Sequence, residues 1–266
     1  MVIMLTMTPA PIIELDDVSK SYGDAHALAR VTLAVAAGEF LAIVGPSGSG
    51  KTTLLRLINR LAEPSSGRVL VEHEDVRLAD PPMLRRQIGY VFQGVGLFPH
   101  MTVGENVAIT PRLIGWEKAR RQARADELLQ LVRLAPAEYR DRFPAALSGG
   151  ERQRVGVARA LSADPKIVLM DEPFGALDAL NRDAIGRDYR ALHERLGLTT
   201  VMITHDMTEA LLLADRVAVM RAGRLLSLGT PDELSRSGDA YVGELLRTPR
   251  RQAERLNTLL PRDGAA

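Results

Sequence analysis

Residues 45–52 read Gly-Pro-Ser-Gly-Ser-Gly-Lys-Thr, set between the apolar run Phe40–Val44 and the helix-forming Thr53-Leu54-Leu55-Arg56-Leu57-Ile58. A strand, a glycine-rich turn and a helix in that order give the context a phosphate-binding loop requires. Glycines at 45, 48 and 50 let backbone N–H groups converge on an anion at the positive end of the helix. Lys51 adds a compact charge, and the Thr52 hydroxyl is an oxygen ligand suited to Mg2+. The candidate nucleotide site is therefore the loop Gly45, Pro46, Ser47, Gly48, Ser49 and Gly50 with Lys51, Thr52 and Thr53. Chance yields this pattern in about one chain in a hundred of this length, so a purely structural turn explains it poorly. Lysine occurs only at 20, 51, 118 and 166 among 34 basic residues, which suggests lysine is kept where a forked guanidinium fits badly.

Short β-branched or aliphatic runs at 12–15, 31–35, 40–44, 69–72, 167–170, 200–203 and 217–220 alternate with helix-like segments, the rhythm of an α/β fold. Three of them, Phe40–Val44, Ile167–Met170 and Thr200–Ile203, are almost wholly apolar, as expected of central parallel strands covered on both faces. Between about 94 and 165 the pattern is helical, with Glu117–Leu134 a long amphipathic stretch, and predicts a helical insertion. Beyond 231 the chain is polar, with Arg247, Arg250, Arg251 and Arg255 around one predicted helix and a loose end from Pro261.

At 266 residues and 46% hydrophobic content the chain suits one large domain or two small ones, compact and soluble. Lys plus Arg is 34 against 33 Asp plus Glu, so nothing marks a nucleic-acid partner. The absence of cysteine excludes disulfides and thiolate metal sites. The apolar opening lacks the basic start of a signal peptide, and translation could start at Met1 or Met7. No apolar run reaches the ~18–20 residues that span a bilayer, so at a membrane other subunits must supply the span.

Ile167-Val-Leu-Met-Asp171-Glu172 is an apolar strand ending in two carboxylates. Beside a phosphate loop they take separate tasks, Asp171 in the Mg2+ shell and Glu172 on the water in line with the terminal phosphate. His205 follows the run ending at Thr204, on the same carboxyl edge of the sheet, where it can donate to the phosphate or hold the water. His26, His73, His100 and His193 read as surface histidines at strand ends, too scattered for a metal. Leu147-Ser148-Gly149-Gly150-Glu151 opens a second helix, Arg152–Ser162, with Ser148 placed to cap it and glycines that admit an anion. With no phosphate loop of its own beside it, this helix start suggests two copies of the chain closing face to face on a nucleotide.

In combination these motifs resemble the ATP-binding subunit of an ABC transporter over residues 12–230. The match comprises a Walker A loop, a Walker B strand, the signature at 147–151, Gln93 closing Ile88-Gly-Tyr-Val-Phe-Gln as the Q-loop, Ala176-Leu177-Asp178 as the D-loop, and His205 as the switch. Tyr22 matches the aromatic that stacks on adenine. The resemblance implies a P-loop NTPase cassette, a RecA-like core with an antiparallel β subdomain and an inserted α-helical subdomain. It implies ATP and Mg2+, the metal held by Thr52, Gln93 and Asp171, with Glu172, His205, Gln93 and Lys51 catalytic. It further implies a head-to-tail dimer, each ATP lying between Lys51 of one copy and Ser148 and Gly150 of the other. Permease subunits and a solute-binding protein complete such an assembly at the cytoplasmic face of the membrane. Glu151 departs from the glutamine often found there, a mild change.

Ile58–Gly67 and Gly94–Asn106 are similar to the subgroup that imports quaternary amines such as glycine betaine, choline or carnitine, and Met170–Asp178 supports an importer. These stretches mark ancestry and do not touch cargo, so a sulfonate, nitrate or polyamine importer stays open. The tail at 231–266 is too short for the paired regulatory domain of several members. An ABC ATPase of DNA repair would need a long coiled-coil insertion, a translation-type one two cassettes, and a phosphate-loop kinase no signature.

Overall fold

Strands β1 (Pro11–Tyr22) and β2 (Ala25–Ala36) form an antiparallel hairpin ahead of β3 (Phe40–Val44) and α1 (Lys51–Ile58). The computed structural model describes residues 11–259; the start at Met1 or Met7 and the loose end from Pro261 lie outside them. Then come β4 (Ser66–Val71), β5 (Glu74–Asp75), α2 (Pro81–Gln87) and β6 (Ile88–Val91). A helical stretch follows: α3 (Val103–Val107), α4 (Ile109–Leu113), α5 (Lys118–Leu131), α6 (Pro136–Tyr139) and α7 (Gly149–Ala160). The chain continues through β7 (Ile167–Asp171), α8 (Ala179–Leu196), β8 (Thr199–Thr204), α9 (Met207–Leu213), β9 (Arg216–Arg221), β10 (Arg224–Gly229), α10 (Pro231–Ser235) and α11 (Ala240–Leu259).

The strands form two sheets, a four-stranded antiparallel one in the order β2-β1-β4-β5 and a six-stranded one in the order β10-β9-β3-β8-β7-β6. In the larger sheet every pair except β10–β9 is parallel. Its central strands are buried on both faces, and their side chains divide by the two-residue period of a strand. Leu41, Ile43, Leu169, Val201 and Ile203 join the core with α1 and the antiparallel sheet. Phe40, Ala42, Val44, Met170 and Met202 join the core beneath the helices. Because β3, β6, β7 and β8 run the same way, the loops leaving their carboxyl ends, at 45, 92, 172 and 205, open along one edge.

Two expectations need correction. His193 is 2% exposed, not a surface residue: it lies one turn from Tyr189 on α8, its ring 5.1 Å from Phe40 and its Nδ1 3.0 Å from Thr200 Oγ1. Burial lowers its pKa, and it serves the core. The scarcity of lysine marks Lys51 alone, since Lys166 pairs with Glu72 at an exposed site and Lys20 stacks over Tyr22.

Candidate functional site

Close approach forces glycine into the loop after β3. A Cβ at Gly45 would lie 2.2 Å from the Met220 carbonyl oxygen, and one at Gly50, where φ is 99°, would lie 2.4 Å from that of Ala27. Gly50 occupies the N-cap of α1 without a side-chain cap, which leaves the first N–H groups of the helix free for an anion. Pro46, Ser47 and Gly48 form the exposed outer arc, and Thr53 lies in the first turn of α1. Ser49 is 2% exposed and its hydroxyl oxygen has no partner, an orphan that a phosphate oxygen could satisfy. Lys51, 6% exposed, donates from Nζ to the carbonyl oxygens of Gly45 at 2.7 Å and Pro46 at 3.0 Å. Burial lowers its pKa, against the attraction of Glu172 and Asp171.

The two carboxylates ending β7 part company. Thr52 donates its hydroxyl to Asp171 Oδ1 at 3.3 Å, which joins the two oxygen ligands expected for a metal. Burial raises the Asp171 pKa, and the nearby Glu172 charge raises it further against the Thr52 hydrogen bond. Glu172 sits in the left-handed region at φ 45°, rare for a residue with a side chain, and its N–H donates to the Ile203 carbonyl of β8 at 3.0 Å. Gln93 Nε2 donates to Glu172 Oε2 at 3.0 Å, and His205 Nδ1 stands 3.6 Å from the same oxygen. Glu172, Gln93 and His205 thus form one cluster. The Gln93 side chain bonds within that cluster; among the described residues no hydrogen bond joins it to the Thr52–Asp171 pair.

The second helix start is built by a capping box. Ser148 Oγ accepts from Glu151 N at 3.3 Å, Glu151 Oε2 accepts from Ser148 N at 2.7 Å, and the Tyr139 hydroxyl donates to Glu151 Oε1 at 2.7 Å. These bonds, the Tyr139 hydroxyl first, hold the Glu151 pKa below its usual value. Ser148 and Gly150 make no hydrogen bond to Lys51 or Thr52 among the described residues, so this end of α7 and the phosphate loop are separate surfaces of one chain. A cavity of about 490 Å³ lies between α7 and the carboxyl edge of the larger sheet, lined by Gln93, Gly149, Arg152, Gln153, Glu172 and His205. Tyr22 ends β1 half exposed. Asp178 caps α8, accepting from Asn181 N at 3.0 Å.

Two polar residues beside the site escaped the sequence. Gln153 is 3% exposed and its Nε2 is unpartnered. Arg159, 7% exposed, donates to the carbonyl oxygens of Val95 and Gly96, each at 2.6 Å. The helical position of both was legible, but the partners of Arg159 are backbone atoms some sixty residues away and leave no mark in a pattern of side chains.

Residues 28–175 match the family described as ABC transporter. The glycine betaine/carnitine/choline transport ATP-binding protein OpuCA of Bacillus subtilis is 48% identical over 237 residues, 88% of this chain and 62% of that protein. The glycine betaine uptake system ATP-binding protein YehX of Escherichia coli is 46% identical over 232 residues, 87% of this chain and 75% of that protein. The chain spans about three fifths of the length of OpuCA. Among solved structures, the dimeric post-hydrolysis state of the ATP-binding cassette MJ0796 bound to ADP and Pi superposes with a TM-score of 0.74 at 35% identity, covering 82% of this chain and 98% of that one. The helix starts, the divided carboxylates and these relatives converge, and the chain belongs to the ABC transporter family.

Proposed function

We propose that this chain is the ATP-binding and ATP-hydrolysing subunit of an importer whose cargo is a quaternary amine osmoprotectant such as glycine betaine, choline or carnitine. The observation that carries the ATPase half is the convergence, from four separate strands, of the phosphate loop, the Thr52–Asp171 pair and the Glu172–Gln93–His205 cluster on one sheet edge. The cargo half is supported by the activities for which OpuCA and YehX are named.

Lys51 neutralises the β- and γ-phosphates that lie against the α1 N-terminus, and the Ser49 hydroxyl meets one of their oxygens. The Thr52 and Asp171 oxygens fit Mg2+, which would supply charge neutralisation there. Among the described residues no group of three His, Cys, Asp or Glu could hold a metal alone. Glu172 accepts the proton of the attacking water, Gln93 and His205 orient it, and Tyr22 stacks on the base. Ser148 and Gly150 complete the site of a second copy bound head to tail, which accounts for a helix start built for an anion yet apart from Lys51.

No helix among the described residues is long and apolar enough to cross a membrane. In this reading permease subunits carry the cargo, fed by a solute-binding protein, with this chain at their cytoplasmic face. A groove of about 430 Å³ beside the Gln93 turn, lined by Leu61, Phe92, Phe98 and Leu113, all exposed, is the surface for them. The test is uptake of labelled glycine betaine and choline by cells that depend on this chain, parent beside Glu172→Gln. Uptake lost with the variant supports cargo and coupling together. Absent uptake from a parent that still hydrolyses ATP keeps the ATPase and discards the cargo in favour of another small solute.

A further inference from the structure

We infer that Arg159 is a positioning residue that ties the turn carrying Gln93 to α7, so that an anion at the start of α7 sets how tightly Gln93 holds Glu172. The inference rests on the ATPase reading above.

Arg159 is a buried cation whose hydrogen bonds run to main-chain oxygens, those of Val95 and Gly96, and among the described residues no carboxylate pairs with it. A desolvated guanidinium satisfied by two carbonyls is a costly arrangement that a purely structural contact could replace with apolar packing. The turn it grips is tight: Val95 N donates to Phe92 O at 2.9 Å and Gly96 N to Gly94 O at 2.8 Å. Gly94, Val95 and Gly96 all have positive φ, at 74°, 68° and 58°, and for a β-branched valine that is strained. Helix α7 also touches the turn, and strand β6 that leads into it, without slack. A Cβ at Gly156 would lie 2.7 Å from Val95 Cγ1, and one at Gly89 would lie 2.5 Å from the Ala160 carbonyl oxygen. Within this turn, Gln93 donates to Glu172 at 3.0 Å.

Ser148 and Arg159 are eleven residues apart on one helix, about 16 Å along its axis. A displacement of the α7 start therefore carries Arg159, the turn and the Gln93 amide with it. In a head-to-tail dimer the α7 start serves the partner's nucleotide, whereas Glu172 serves this chain's own. Arg159 then makes occupancy of one site adjust the carboxylate of the other, which is a coupling between sites.

The experiment compares the parent with Arg159→Met, which keeps bulk and removes every donor, and Arg159→Lys, which keeps the charge. It reads kcat, KM and the Hill coefficient of ATP hydrolysis, with amide hydrogen exchange at 93–97 and across α1. Expected for the Met variant are faster exchange at 93–97 with α1 unchanged, kcat lower by roughly tenfold, KM within about twofold, and a Hill coefficient falling towards 1. The Lys variant should lie between. Parental kcat and cooperativity in a Met variant whose turn exchanges faster would overturn the coupling, and unchanged exchange would overturn the grip itself. A parent that hydrolyses no ATP overturns the ATPase reading, and the exchange at 93–97 still decides whether Arg159 holds the turn.

Discussion

At the residue scale, the site is held at a cost that its ligands would relieve. Lys51 and Asp171 are both buried, and burial disfavours the charge on each. The Asp171 carboxyl has its folded pKa above the unfolded value, so the folded chain binds its proton more tightly. Its charge therefore opposes folding at neutral pH, and that opposition fades as pH falls through the folded pKa. Asp171→Asn removes the ionisation and retains an acceptor for the Thr52 hydroxyl. The nucleotide-free variant should melt above the parent at pH 7 by roughly 2–4 °C, what about 1 kcal/mol gives in a chain of this size after solvent screening is allowed for. The gain should shrink in acid, and Mg2+-dependent nucleotide binding should be lost. A variant no more stable than the parent at pH 7 would count against the cost of burial. Glu172→Gln makes the opposite kind of change, keeping shape and losing a base. Its hydrolysis should fall at least ~100-fold while ATP binding persists, and wild-type turnover in a rapid-quench assay would remove Glu172 from the role of base.

At the element scale, α7 depends on its capping box. Ser148→Ala removes the acceptor for Glu151 N and should cost about 1 kcal/mol in urea unfolding. Glu151→Gln should be far milder, because an amide oxygen still accepts from Ser148 N and the amide group can turn towards the Tyr139 hydroxyl. The Glu151 pKa is depressed on folding, so its carboxylate stabilises the chain above the unfolded value and loses that effect as pH falls through the folded one. Any stability difference between parent and Glu151→Gln should accordingly vanish in acid; a difference that grew there would contradict the hydrogen bonds assigned to Glu151. The same scale explains what was legible. Strands β3, β7 and β8 announced themselves because both their faces are buried and nearly every residue is apolar. Strand β6 was hidden by its four-residue length and by Gly89, whose bareness is set by contact with Ala160. Strand β10 was hidden by Arg224 and Ser227 on an open edge. His193 was misread because the inner stripe of α8 is set by packing against Phe40, far away in sequence, and against Thr200 once the chain has turned back into β8. The glycine-rich loop and the capped start of α7 could be read from residue type and spacing, but the grip of Arg159 on two carbonyls could not.

At the scale of the whole molecule, the phosphate loop and the capped start of α7 are two anion-receptive surfaces that one chain does not bring together. Head-to-tail pairing across a two-fold axis would join each to its complement and produce two identical composite sites. That geometry makes a prediction no single chain could satisfy. Lys51→Ala spoils the loop and leaves the α7 start intact, whereas Ser148→Arg spoils the α7 start and leaves the loop intact. Each variant alone should hydrolyse almost no ATP, because both of its composite sites contain a damaged half. In a one-to-one mixture half the dimers are mixed, and each mixed dimer holds one site with both halves whole and one with both damaged. Hydrolysis should then reappear at up to about a quarter of the parental rate, following the statistics of a two-fold dimer, and should rise and fall with the mixing ratio. If each site were built within one chain, the mixture would stay as inactive as its components at every ratio, and the head-to-tail arrangement would have to be abandoned.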